Sequence, residues 1–258
     1  MREAINNIEM IELEKQDREA QTANPVFTIL FGKPKCGKTT LIAGLQDALI
    51  IDMDPSKGTD SVELHKSTAI KVSNMTELEE LRQSVVAKNK SIGDYYFTYG
   101  IFDTATDLEE ITLPYALSMY KKTPMGKTFK GTDIRTLPNG GGYMYIREAY
   151  KKVINLFRPL FKYLILTGHV KDKNIDKEGK EVTEYSLDLA GKLARIMIAQ
   201  ADAVGFVYRK KNQTIVNFNG GGDFIAEARP KHLRGKEIVL GDSDEDNVVT
   251  TYWDRIFI

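Results

Sequence analysis

Gly32-Lys33-Pro34-Lys35-Cys36-Gly37-Lys38-Thr39 lies between an apolar, β-branched run, Val26-Phe27-Thr28-Ile29-Leu30-Phe31, and a helix-compatible run, Thr40-Leu41-Ile42-Ala43-Gly44-Leu45-Gln46. It meets every fixed position of the phosphate-binding pattern G-x-x-x-x-G-K-[ST], in the strand–loop–helix setting that the pattern requires. Gly32 and Gly37 let the backbone wrap so that successive N–H groups converge on a phosphate. The helix that follows adds its free amides and the positive end of its dipole. Lys38 is placed to reach the β- and γ-phosphate oxygens, and the Thr39 hydroxyl to ligate Mg²⁺. A glycine turn before a helix would explain the two glycines but neither Lys38 nor Thr39. Lys33, Pro34, Lys35 and Cys36 fill the variable positions and Thr40 closes the predicted nucleoside-triphosphate site.

Three later apolar runs end in polar residues, as buried parallel strands do when their carboxyl ends face a site. Ala48-Leu49-Ile50-Ile51-Asp52-Met53-Asp54 is the first. Tyr95–Asp103 is the second, and its terminal Asp103 suits the carboxylate that holds Mg²⁺ in a P-loop site. Tyr163-Leu164-Ile165-Leu166-Thr167-Gly168-His169 is the third. A lone histidine is more often structural than catalytic, but at this strand end His169 suits a γ-phosphate sensor.

The 258 residues suit one large or two small domains, and 42% apolar content can fill a core. Acidic and basic residues balance at 36 each, so any polyanion surface must be local. No run approaches a membrane span and Met1-Arg2-Glu3-Ala4-Ile5 is too polar for a signal peptide, so a soluble, cytoplasmic protein is expected. Cys36 is the single cysteine, which excludes an internal disulfide or a cysteine zinc cluster. Ile5, Ile8 and Ile11 predict a short amphipathic helix within residues 1–24, packed on its own domain or docked on a neighbouring subunit. Residues 25–258 form the main domain.

Helices are predicted over 76–90, with Thr76 as cap and Glu79 in a capping box, from Asp107, over 146–158, and from Leu187 to Ala199. Residues 118–145 break the pattern: Lys121, Lys122, Lys127, Lys130 and Arg135 face a single acid, Asp133, among Pro and Gly residues, with Tyr143 and Tyr145 behind them. A mobile basic loop with aromatics suits a nucleic-acid backbone with stacked bases, and equally suits a solvated surface loop. Lys171–Lys180 reads as either a hairpin tip or a second flexible loop. The last sixty or so residues look antiparallel, with strands at 214–218 and 224–228, a turn at Gly220–Asp223, an acidic loop at 242–246, and Trp253, Ile256 and Phe257 packed on the core.

This order resembles the RecA-type ATPase core: an α/β fold with a mainly parallel central sheet flanked by helices, and antiparallel strands at the C-terminal end. More narrowly, the chain resembles the phage-encoded RecA-like single-strand-annealing ATPases of the Sak group. The likeness rests on Gly32–Thr40, Ile50-Ile51-Asp52-Met53-Asp54-Pro55, Ile101–Glu110, Thr167–Lys173, Asp188–Leu193, Ala201–Gly205 and Glu227-Ala228-Arg229. It implies ATP and Mg²⁺ as cofactors, single-stranded DNA as partner, a homo-oligomeric ring or filament, a phage single-strand-binding protein as a further partner, and the cytoplasm of an infected bacterial host. By the same resemblance, Asp54 takes the place of the catalytic carboxylate, although RecA-type enzymes carry the longer Glu there. Asp103 matches the Mg²⁺ aspartate and His169 the strand-end sensor, where RecA has Gln. The segments 118–145 and 171–186 fall where RecA-type proteins place DNA-binding loops, which adds Lys171 and Lys173 to the four loop lysines. Arg229 or Lys231 would reach a neighbour's γ-phosphate. Two other readings compete: a small-molecule P-loop kinase, and a non-catalytic, ATP-switched accessory protein of the helicase-loader type.

Overall fold

The computed structural model describes residues 23–56, 58–177, 180–220 and 223–258, with backbone alone over the described part of 173–183. The predicted N-terminal helix, residue Lys57, the Lys173 side chain and the two middle glycines of the 220–223 turn lie outside the described residues.

β1 (Phe27–Gly32) is buried along its whole length and sits in mid-sheet. Its alternation serves both faces: Phe27, Ile29 and Phe31 enter one core and Leu30 the other. The phosphate loop then leads into α1 (Lys38–Ala43), β2 (Ala48–Asp52), an edge strand β3 (Thr68–Lys71), α2 (Met75–Ile92), β4 (Tyr99–Asp103), α3 (Ala105–Lys121) and α4 (Gly142–Phe157). β5 (Tyr163–Lys177) and β6 (Lys180–Leu187) form a long antiparallel hairpin, followed by α5 (Leu193–Gln200) and β7 (Ala203–Lys210). The chain ends in β8 (Gln213–Asn217), β9 (Glu227–Ala228), β10 (Glu237–Ser243) and β11 (Val249–Thr251).

The sheet order is β11-β10-β8-β7-β1-β5-β4-β2-β3. β3, β2, β4, β5, β1 and β7 run parallel, while β8, β10 and β11 run antiparallel beyond β7. In this mainly parallel arrangement with antiparallel strands at the C-terminal end, β5 lies between the phosphate-loop strand and the Asp103 strand. Register aligns the strand ends, Gly32 with His169 and Val207, and Asp52 with Asp103. All the chemistry-bearing ends therefore meet along one edge of the sheet, where open α/β sheets bind ligands. The C-terminal anchor is as expected: Trp253 and Ile256 are buried, and Trp253 Nε1 donates to Leu41 O at 2.9 Å, tying the chain end to α1.

Several boundaries differ from the sequence reading. The cap of α2 is Asn74, which accepts from Thr76 N and Glu77 N; Glu77 completes the box by accepting from Ser73 N at 2.7 Å, while Glu79 pairs with Arg82. β3 is short and polar, and its parallel pairing with β2 supplies what its composition does not. The Tyr95–Asp103 strand begins only at Tyr99, and β6 ends at Leu187, so residues 188–192 are a connection and helix starts at Leu193. Of the expected strand at 224–228 only Glu227–Ala228 is strand, and β10 already occupies the start of the expected acidic loop.

The largest correction concerns residues 118–145. α3 runs on to Lys121 and α4 starts at Gly142, so both tyrosines behind the loop are helical. Between them, short 3₁₀ turns fold over a separate apolar cluster of Ala116, Ile134, Leu137, Ile146 and Ala149. Tyr145 packs edge-on against Tyr120, leaving Tyr143 as the exposed ring of the pair. The composition hid this because apolar anchors such as Ile134 are spaced singly among Gly, Pro and Lys. At 171–186, the hairpin is the alternative the structure adopts.

Candidate functional site

The phosphate loop needs its glycines. A Cβ on Gly32 would stand 2.3 Å from Val207 O, because the loop leaves β1 pressed against β7. Gly37 has φ 98°, a left-handed conformation that L side chains rarely adopt. Lys38 is buried, and its Nζ donates to Gly32 O and Lys33 O, both at 3.0 Å, with Cys36 Sγ at 3.8 Å. Among the described residues its hydrogen-bond partners are carbonyls and a thiol rather than a carboxylate, a setting that fits an anion. Cys36 is buried within the loop.

Asp103 is buried at the end of β4. Thr39 Oγ1 donates to its Oδ2 at 3.2 Å, and Thr167 Oγ1 donates to its Oδ1. The run Thr39–Asp103–Thr167 thus links the loop helix, β4 and β5. Burial pushes the Asp103 pKa above the usual carboxylate value; the Thr167 and Thr39 hydrogen bonds oppose this, Asp52 adds to it, and Lys38 opposes it. A buried acid short of positive partners beside a hydroxyl fits a cation. Among the described residues no cluster of three or more His, Cys, Asp or Glu could hold a metal alone, so phosphate oxygens would have to complete the shell of Mg²⁺. Thr39 and Asp103 are the residues that would hold it.

Asp54 stands two residues beyond β2 and is half-buried. Ser56 Oγ and Ser56 N donate to its Oδ1 at 2.6 and 2.8 Å, and these two bonds are the main reason its pKa is lowered, with a smaller contribution from nearby His169. Asp52, not singled out by the sequence reading, is the acid in register with Asp103. Its oxygens accept from Thr59 N, Thr59 Oγ1 and Asp54 N, so it shapes the turn that carries Asp54. His169 ends the parallel part of β5 beside Gly32, and its buried Nδ1 has no hydrogen-bond partner among the described residues, as a group meant for a ligand would.

Glu109 and Thr167 were also missed. Thr167 lies two residues before His169, so strand alternation alone places both on one face. Glu109 is buried, accepts from Ala190 N at 3.0 and 3.2 Å, and has its pKa raised chiefly by burial. Thr106 Oγ1 donates to Asp188 O at 2.9 Å, and Asp188 N donates to His169 O at 2.9 Å. The helix that starts beside Asp103 is therefore stitched to the connection that leaves the β5–β6 hairpin.

The remaining candidates lie apart. Lys121, Lys122, Lys127 and Lys130 are exposed around the end of α3 and the first 3₁₀ turn, while Arg135 is engaged by Asp133 and Glu110. Lys171 lies 3.6 Å from Asp188. Arg229 pairs with Asp202 at 3.1 Å and donates to Ala199 O; Asp202 in turn accepts from Val26 N and Phe27 N, at the end of β1 opposite the phosphate loop. Arg229 therefore does not serve the site of its own chain. Lys231 is exposed in the following turn. Among the described residues no helix is long and apolar enough to cross a membrane.

Residues 24–237 match the family model described as an AAA domain. Among solved structures, the chain is similar to the RadB recombinase at 13% identity and a TM-score of 0.46, over 89% of this chain and 92% of that one. No curated protein matches the chain.

Proposed function

This chain belongs to the AAA-domain family matched over residues 24–237, a P-loop NTPase family, and on that footing we propose that it is a RecA-like ATPase of phage recombination, of the Sak kind, that binds single-stranded DNA and promotes annealing. The observation that carries the reading is the Thr39–Asp103–Thr167 run with the buried Lys38 ammonium beside it.

In this reading Lys38 exchanges the Gly32 and Lys33 carbonyls for phosphate oxygens of ATP, and the loop N–H groups of Lys33 and of Lys35 to Thr40 bind the same phosphates. Thr39 and Asp103 would hold Mg²⁺, which when bound would neutralise phosphate charge. Asp54, kept ionised by Ser56, orients the attacking water. Water attacks the γ-phosphorus in line, the β–γ bridging P–O bond breaks, and ADP leaves. His169 Nδ1 senses the terminal phosphate. The link from α3 through Glu109 and Ala190 supports coupling between that site and the β5–β6 hairpin.

The exposed lysines 121, 122, 127 and 130, with Lys171 and Lys173 on the hairpin, contact the DNA backbone. Arg229 or Lys231 acts on the site of a neighbouring subunit in a ring or filament; the position of Arg229 at the far end of β1 supports a role in trans. Residues 1–24 serve as the assembly arm and 25–258 as the ATPase domain. The protein works in the cytoplasm of an infected bacterial host, alongside a phage single-strand-binding protein.

The test is the ATPase rate with and without single-stranded DNA, read beside a sizing measurement. DNA-stimulated turnover by an assembled species supports the proposal. Phosphoryl transfer to a nucleoside or sugar would replace it with the kinase reading, for which the cavity of about 660 Å³ beside Asp54 offers acceptor space. Hydrolysis limited to one turnover, without annealing, would favour the accessory-protein reading.

A further inference from the structure

A cavity of about 510 Å³ opens beside the phosphate loop and shares Lys33 and Cys36 with it. Neither Lys38, Thr39, Asp103 nor His169 lines it. Its wall is aromatic, formed by Tyr185 of β6, Phe206 and Tyr208 of β7, and Phe224. The rings of Phe224, Tyr185 and Tyr208 have centroids 4.4, 6.1 and 6.3 Å from that of Phe206, at interplanar angles of 12°, 20° and 25°. Ring pairs elsewhere meet both ways, Phe102 and Phe157 at 69° and Trp253 and Phe257 at 23°, so it is the open space beside these four rings that sets them apart. Near-parallel rings beside an open space offer π faces to another planar group.

The polar groups around this array have their own order. Asn217, itself buried, donates from Nδ2 to Glu237 Oε1 at 2.6 Å, and its Oδ1 is taken by Asn219 N at 2.6 Å. The Tyr208 hydroxyl lies near Glu237; burial first, and the Glu237 charge second, push its pKa up. Glu237 is thereby oriented with acceptor capacity to spare. Lys33 Nζ stands 4.8 Å over the Tyr185 ring, and Arg209 completes the cationic side of the lining.

We propose that this cavity is a nucleobase site. A purely apolar ligand would leave the oriented Glu237–Asn217 edge without a partner, and a bare phosphate would leave the aromatic array without one. A nucleotide unit uses all three features: a base stacked on the rings, its polar edge at Glu237, and a phosphate at Lys33 and Arg209. The base comes either from a mononucleotide whose phosphates occupy the neighbouring loop or from a DNA strand passing the root of the hairpin. Only the first source rests on the nucleotide reading of the loop.

The experiment compares affinities of wild type, Phe224→Ala and Glu237→Gln for three probes: ATP, inorganic tripolyphosphate, and an adenine-only DNA dodecamer. Loss of one stacking ring should weaken the base-bearing ligand about tenfold and leave tripolyphosphate unchanged. A loss confined to ATP assigns the base to the mononucleotide; a loss confined to the dodecamer assigns it to the strand. Phe224 packs on Phe206, so Glu237→Gln, at an exposed position, provides the variant that leaves the packing alone, and it should weaken the same probe severalfold. Unchanged affinity of both variants for ATP and dodecamer overturns the proposal while tripolyphosphate binding keeps the phosphate loop intact. Failure of wild type to bind tripolyphosphate would count against the loop itself, and the dodecamer arm would then decide the cavity alone.

Discussion

Replacing Thr167 with valine perturbs the site where it is least accessible. Thr167 is fully buried on β5, between the phosphate-loop strand and β4, and its hydroxyl donates to Asp103. Valine keeps the branched shape and the strand preference and removes only the O–H. Asp103 then keeps Thr39 as its hydroxyl donor. A hydrogen bond to a charged group is worth about 1.5–3 kcal/mol, so its loss pushes the already raised Asp103 pKa further up. The sign follows from what each protonation state can do. Only the ionised carboxylate holds a cation, so Mg²⁺-dependent nucleotide affinity falls as pH drops through the Asp103 pKa, and Thr167→Val moves that fall to higher pH. Without ligand the trend reverses: an acid whose folded pKa is raised contributes stability at low pH and loses it as pH rises through that value. The assay is the Kd of a fluorescent ATP analogue across a pH series, with and without Mg²⁺. Within the shifted window the variant should bind about ten- to a hundredfold more weakly than wild type in Mg²⁺, and equally without it. Superimposable Mg²⁺-dependent profiles would refute the Thr167–Asp103 reasoning.

Lys38→Ala should abolish tight ATP binding while leaving the fold intact, because the lost ammonium is bonded only within the loop; unchanged affinity by calorimetry would remove the site. Asp54→Asn should retain binding and slow hydrolysis, and normal turnover would move the base elsewhere. Neutralising Lys121, Lys122, Lys127 and Lys130 should flatten the salt dependence of DNA binding, since each phosphate contact adds roughly one unit to the slope; an unaltered slope returns that surface to mere solvation. Trp253→Phe loses the bond to Leu41 O, which retains Gly44 N as a donor, so about 1 kcal/mol is expected, read as a fall of about 2–4 °C in Tm.

The phosphate loop was legible because its chemistry is local. Gly32, Gly37, Lys38 and Thr39 act through a backbone path that consecutive residues set by themselves, and the flanking runs identify strand and helix. The strand ending in Asp103 was legible for a related reason, since a fully buried strand must be apolar until it reaches the site. Local pattern failed where pairing or packing supplied the structure. β3 is too short and polar to announce itself and exists because β2 offers a neighbouring edge. The 118–145 segment reads as loop by composition, yet Ile134 and Leu137 pin it over a cluster contributed by α3 and α4.

Sequence by itself therefore determined a P-loop α/β protein and singled out Gly32–Thr39 and Asp103 as the residues of the proposed site. Only the tertiary structure decided which groups meet that acid. Thr167 and Thr39 are more than sixty positions from Asp103 on either side, and Asp52 reaches it by strand register rather than by spacing. The same holds for Tyr185, Phe206, Tyr208 and Phe224, scattered over 40 residues and near-parallel only once β6 and β7 are set in place. A side chain's chemistry is written in its own position, but its protonation, partners and accessible faces are set by neighbours that the sheet brings from elsewhere in the chain.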